Sequence, residues 1–193
     1  MPVLGIIASS RPSAVGAFES IATVSGTGST GTIVFSSIPQ TYKHLQLRGV
    51  GRSTYSGGYG LSYSITFNGN GSAVYDAKCF RWDGANSQPP TSFNQTSVSS
   101  GYTHNSITTA DNAVNTYGAV ITDIPNYAST TQAKTARTIS GYSGEYAAYA
   151  GSAEIVSTET YFNDTTAISS MTLTIGGGSW TTGTKFSLYG IKG

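Results

Sequence analysis

The sequence predicts an all-β fold, an antiparallel β-sandwich of jelly-roll type. Three observations carry that expectation: a hydroxyl- and glycine-rich composition, apolar residues recurring at every second position, and glycine turns at short intervals. Only 10% of the 193 residues are charged, against roughly 25% in an ordinary soluble domain. In their place stand 28 Ser, 27 Thr and 24 Gly. Long charged helices and coiled coils need Ala, Glu, Lys, Leu and Arg in bulk, and this composition excludes them. A net charge of +1 lacks the basic surplus of a nucleic-acid binder. Aromatics at 11%, with 13 Tyr, are too many for a disordered chain.

The elements follow in chain order. Residues 18–24, 32–38 and 43–50 are β-branched and aromatic runs that read as strands. Residues 61–68 alternate strictly, with Leu61, Tyr63, Ile65 and Phe67 on one face and Ser62, Ser64, Thr66 and Asn68 on the other, as a half-buried strand requires. Residues 74–82, 117–124, 134–140 and 153–161 are further strand candidates, and the alternation returns at 171–175 and 185–189. Ser56-Gly57-Gly58 and Asn68-Gly69-Asn70-Gly71 supply the positive φ of tight reversals, and Gly176-Gly177-Gly178 ends a strand. Residues 86–100, with Pro89-Pro90, read as a long surface loop. Ile38-Pro39 and Ile124-Pro125 each close one strand and launch the next, since proline cannot donate to the ladder. Residues 18–193 are therefore expected to form one sandwich, preceded by an extended arm over residues 1–17.

Chemistry-bearing motifs are few. Gly26-Thr27-Gly28-Ser29-Thr30-Gly31 matches the dinucleotide pattern, but the run that follows it, Thr32-Ile33-Val34-Phe35, is strand rather than helix, so a glycine-rich hairpin loop is expected. His44 is expected on a strand surface and His104 in a solvated loop. No spacing resembles a zinc site, and no metal or cofactor is expected. Cys79, the only cysteine, lies in an apolar-aromatic run as an inert buried thiol. Glu154 and Glu159, like Asp76 and Asp83, are an odd number of positions apart, which puts each pair on opposite strand faces and argues against a facing glycosidase pair. No enzyme is expected. The apolar run Val3 to Ala8 has no preceding basic residue and is not expected to be a secretory signal. No run approaches the roughly 20 apolar residues of a membrane span, so no membrane partner is expected.

Two groups of side chains are candidates for binding a partner. Tyr55 and Tyr59 flank Ser56-Gly57-Gly58, and Tyr142 and Tyr146 lie among Gly144, Ala147 and Ala148, where small neighbours free a rigid amphipathic ring to reach a ligand. Covering a sheet surface is the alternative role for these rings. Lys43, Arg48 and Arg52 place three cations within ten residues, to face an acidic partner or simply to be solvated at strand ends.

The segment Ile38-Pro39-Gln40-Thr41-Tyr42-Lys43-His44-Leu45-Gln46-Leu47-Arg48 resembles a family of tailed-bacteriophage virion proteins frequent among aquatic phages. Gly5-Ile6-Ile7-Ala8-Ser9-Ser10 is similar to that family's opening. Ala167 to Leu173 and Phe186-Ser187-Leu188-Tyr189-Gly190-Ile191-Lys192 are similar to its closing strands. The resemblance implies a β-sandwich with a non-enzymatic structural role in the virion, and it carries no catalytic residues. The leading expectation is a capsid decoration, or cement, protein assembled in the host cytoplasm. It would form rings of three on the shell of major capsid protein, with the arm bearing Ile6 and Ile7 laid across a neighbour by strand addition. The rival is a tail-tip or fibre-head module, attached to tail proteins, that holds a host-surface glycan through Tyr55, Tyr59, Tyr142 and Tyr146. A depolymerase is the third reading.

Overall fold

A computed structural model describes residues 16–84, 90–143 and 153–193. The expected arm bearing Ile6 and Ile7, and Tyr146, lie outside the described residues. Among the described residues there are twelve strands: β1 Phe18–Ser25, β2 Thr32–Phe35, β3 His44–Gly51, β4 Gly60–Phe67, β5 Tyr75–Asp83, β6 Thr91–Val98, β7 Gly101–Thr108, β8 Gly118–Pro125, β9 Lys134–Ser143, β10 Ala153–Phe162, β11 Met171–Ile175 and β12 Lys185–Ile191. They form an eight-stranded sheet, β1-β12-β3-β8-β9-β10-β5-β6, and a four-stranded sheet, β2-β11-β4-β7. Every ladder pair within the two sheets is antiparallel. The architecture is an antiparallel β-sandwich whose strands divide eight and four.

Alternation decides which side chains meet between the sheets. On β4 the apolar set Tyr63, Ile65 and Phe67 points inward, and on β3 Leu45 and Leu47 do the same. These join Ile33, Phe35, Met171, Leu173, Phe186 and Leu188 in one core. Tyr63, Trp180 and Phe186 pack edge to face at its centre, with centroids 5.4 to 6.2 Å apart. Complete burial pushes the Tyr63 phenol well above its ordinary pKa. Part of the interior is polar. Thr122 and Thr138 share a hydrogen bond of 2.8 Å, Ser140 donates to Ser106 at 2.9 Å, and Thr103 donates to the Tyr63 carbonyl at 2.6 Å, all buried.

At one end the sheets converge. Gly51 of β3 pairs with Gly118 of β8, and the missing side chains admit Ile107 of β7 and the Trp180 ring. Just beyond, Arg52 bridges to Thr108 and Ser53 to Trp180.

Three expectations change. Residues 91–98 and 101–108 are strands, so the expected loop over 86–100 is largely β6, and His104 lies on β7 stacked on Phe93 with centroids 4.5 Å apart. Burial, then Arg81, lowers its pKa. The glycine-rich segment 26–31 joins β1 and β2, which belong to different sheets, so it is a corner between sheets and not a hairpin. Hydroxyls, expected on the solvent face, also fill part of the core, where those of Thr103, Ser106, Thr122, Thr138 and Ser140 are hydrogen-bonded.

Candidate interaction surface

The outward face of the large sheet aligns its side chains in rows that cross the strands. Register sets the rows, because partners in adjacent antiparallel strands point to the same side. One row runs Val50, Ala119, Gly141, Ile155, Trp82, from β3 through β8, β9 and β10 to β5. The next runs Arg48, Ile121, Ile139, Ser157, Phe80. A third is polar and alternates in charge: Gln46, Asp123, Arg137, Glu159, Lys78. Within it Gln46 Nε2 donates to Asp123 at 2.6 Å, and Arg137 Nε lies 2.5 Å from Glu159 Oε1.

The two apolar rows are exposed. Phe80 is 66% and Trp82 54% accessible, and Ile121, Ile139 and Ile155 are about as open. Monomers rarely present contiguous apolar surface beyond a few hundred square ångströms, so this face is the candidate interaction surface. Its relief is uneven. Gly49, Ala119 and Gly141 floor a trough of about 570 Å³ beside Val50 and Ile139, while Ile155, Trp82 and Phe80 stand as a ridge on the neighbouring strands.

The structure distributes the three cations to three environments. Lys43 is exposed just ahead of β3. Arg48 lies on the outward face between the rings of Phe18 and Tyr189, 5.0 and 5.4 Å from their centroids, and donates through Nε to Gln46. Arg52 corrects the expectation of a cation free for a partner: it is 8% exposed. Its Nη1 donates to the carbonyls of Ala113 and Thr116 at 2.9 and 3.0 Å, and its Nη2 to those of Asn112 and Ala110 at 3.0 and 3.3 Å. The loop joining β7 to β8 is wound around this guanidinium.

The tyrosines separate in the same way. Tyr142 is buried on β9, its hydroxyl against Gly60 and its ring 6.5 Å from that of Tyr59, which corrects the expectation of two independent loop rings. Tyr55 alone of the three described loop tyrosines is exposed, resting on Gly177 and Gly57. Asp111 clamps the loop beside it by accepting from Ser56 Oγ at 2.5 Å and from the Gly57 and Gly58 amides at 2.6 and 2.9 Å. Those bonds, the hydroxyl first, hold the Asp111 pKa below the usual carboxylate range. A lowered folded-state pKa contributes stability that is present above the unfolded value and lost as pH falls through the folded one. The Gly57 and Gly58 amide resonances are therefore expected to shift as pH drops below about 4 and not to titrate there in Asp111→Asn, a change that NMR reads directly.

The remaining candidates carry no assembled chemistry. Glu154 is buried 3.2 Å from Arg81, while Glu159 faces outward, so the two carboxylates lie on opposite faces of β10. Cys79 is buried, and desolvation raises its thiol pKa. His44 Nδ1 accepts from the Asn126 amide at 3.1 Å. Among the described residues no three His, Cys, Asp or Glu side chains gather as a metal site. The outward apolar rows were missed by sequence reasoning, although adjacent apolar pairs such as Val120-Ile121 and Ile155-Val156 signal strands apolar on both faces. Comparison with known protein families, curated proteins and solved structures returned no match.

Proposed function

We propose that this protein is a non-enzymatic structural component of a bacteriophage virion, a decoration protein that binds and stabilises the shell of major capsid protein. The exposed apolar face of the eight-stranded sheet carries the reading, because a surface of that kind requires a protein neighbour. The low charge and the resemblance of residues 38–48, 167–173 and 186–192 to phage virion proteins support it. Incubating the purified protein with undecorated shells is expected to give saturable co-sedimentation, with label spread over heads in electron micrographs. Absence from both heads and tails would overturn the reading.

A second reading has its own observation. Tyr55 is an exposed ring held on a glycine platform beside a clamped loop, which suits stacking on a sugar ring at low entropic cost. On this reading the protein sits at the tail tip. Binding on a glycan array that disappears in Tyr55→Ala would favour it, and a blank array removes it.

A further inference from the structure

The geometry points to a second copy of this chain as the occupant of the outward sheet face, paired face to face about a twofold axis that runs along the strands between β9 and β10. The inference rests on reading that face as a protein interface, and it names the partner.

A twofold axis in that position brings β9 over the partner's β10 and β8 over its β5, row on row. Every row then meets its complement. In the first row Gly141 faces Ile155 of the second copy and Ala119 faces its Trp82, so the ridge of each chain enters the trough of the other. In the second, Ile121 faces Phe80 and Ile139 faces Ser157. In the charged row the order Asp123, Arg137, Glu159, Lys78 reads minus, plus, minus, plus, and reversal inverts every sign. Arg137 therefore meets Glu159 and Asp123 meets Lys78. Sliding one copy by a single strand puts the axis on a strand and sets like charges opposite each other, and moving the axis a whole strand, to lie between β8 and β9, leaves Glu159 opposite Gln46 and Lys78 opposite Tyr189, so the charges select this register.

The dimensions fit as well. A fourth row on the same face carries His44 and Pro125 on β3 and β8, and Thr135, Tyr161 and Asp76 on β9, β10 and β5, while β6 adds a sixth strand beyond β5. Four rows on six strands, at about 4.8 Å between strands and about 6.7 Å between successive outward residues, cover on the order of 800 Å². That is about the area each partner contributes to a standard interface. Sheets stack face to face about 10 Å apart, the spacing that interdigitated side chains of this size fill. The pairing is twofold, where the sequence led to the expectation of a ring of three.

Sedimentation equilibrium of the full chain is expected to give twice the 20.0 kDa chain mass. Masses of one or three chains would overturn the inference. Ala119→Trp fills the trough on an exposed strand position and is expected to weaken pairing by at least about tenfold. The decisive experiment uses two charge variants. Lys78→Asp and Asp123→Lys each set like charges face to face and are expected to be monomeric. Mixed in equal amounts they restore both opposite pairs, and a heterodimer forms; failure to form it overturns the proposed register. Circular dichroism matching the parent confirms that each variant is folded. The outcome is separable from the virion reading: a monomer that coats shells sinks the pairing alone, and a dimer absent from particles sinks the virion role alone.

Discussion

An Arg52→Met variant is expected to lose about 2–4 kcal/mol of stability, because the Ala110 and Asn112 carbonyls then lack a donor at roughly 1–3 kcal/mol each, while the Ala113 and Thr116 carbonyls keep the bonds that Thr116 and Thr108 donate. The methionine stem replaces the packing of the arginine methylenes but none of its N–H groups. Those groups are what hold Ala110, Asn112, Ala113 and Thr116 with their carbonyls turned inward. Arg52→Lys tests charge against geometry. A point charge with three donors cannot span carbonyls arrayed on both sides of a planar fork, so lysine is expected to recover only a minor part of the loss. Chemical denaturation gives the difference, and hydrogen exchange over residues 109–117 is expected to accelerate in both variants. Full stability in Arg52→Lys would show that charge, not the fork, organises the loop.

Gly118→Ala is expected to cost about 3 kcal/mol, at the upper end of overpacking changes. A Cβ at Gly118 would lie 2.5 Å from the Ser106 carbonyl oxygen and 2.7 Å from the Ile107 Cα. Both are backbone atoms, so no rotamer relieves the contact and β7 must move away from β8. Gly71→Ala is the matched control. Nothing lies within 4 Å of a Cβ there, and the change should be neutral or stabilising by a few tenths of a kcal/mol, through a less flexible unfolded chain. Denaturant midpoints that move with unchanged slopes would report both effects as changes in stability. A near-neutral Gly118→Ala would mean that the sheets are not in van der Waals contact at the Gly51–Gly118 pair.

Ten of the twelve strands among the described residues were legible, β4, β11 and β12 from alternation and the other seven from runs of β-branched and aromatic residues, and β4 reads from Leu61 to Phe67 without a break. β6 and β7 were not. The sequence of β6, Thr91 to Val98, is almost wholly polar and lies exposed at the sheet edge. β7 buries Thr103, Ser106 and Thr108, whose hydroxyls bond the Tyr63 carbonyl, the Ser140 hydroxyl and the Thr116 carbonyl, and burial secured in that way leaves no trace in hydropathy. The candidate surface was hidden for a different reason. Which residue of β8 stands beside which residue of β5 depends on four strands keeping register, and register between distant segments cannot be read from any one of them. For the same reason the three cations near residue 48 looked alike in sequence, although folding sends Arg52 inward and leaves Arg48 between two rings.

The order of the large sheet also sets when it can form. β12 lies between β1 and β3, and in the small sheet β11 lies between β2 and β4. A ribosome therefore releases β1, β2, β3 and β4 long before the strands that complete their hydrogen bonding, and each presents an open edge until residues 171–191 emerge. At roughly 5–20 residues per second, that wait lasts about 5 to 30 seconds. Pairing between such distant segments also slows the folding step itself. The nascent chain meets the hazard with its composition, since edges flanked by threonine, serine and glycine are poorer templates for aggregation than continuous runs of apolar residues.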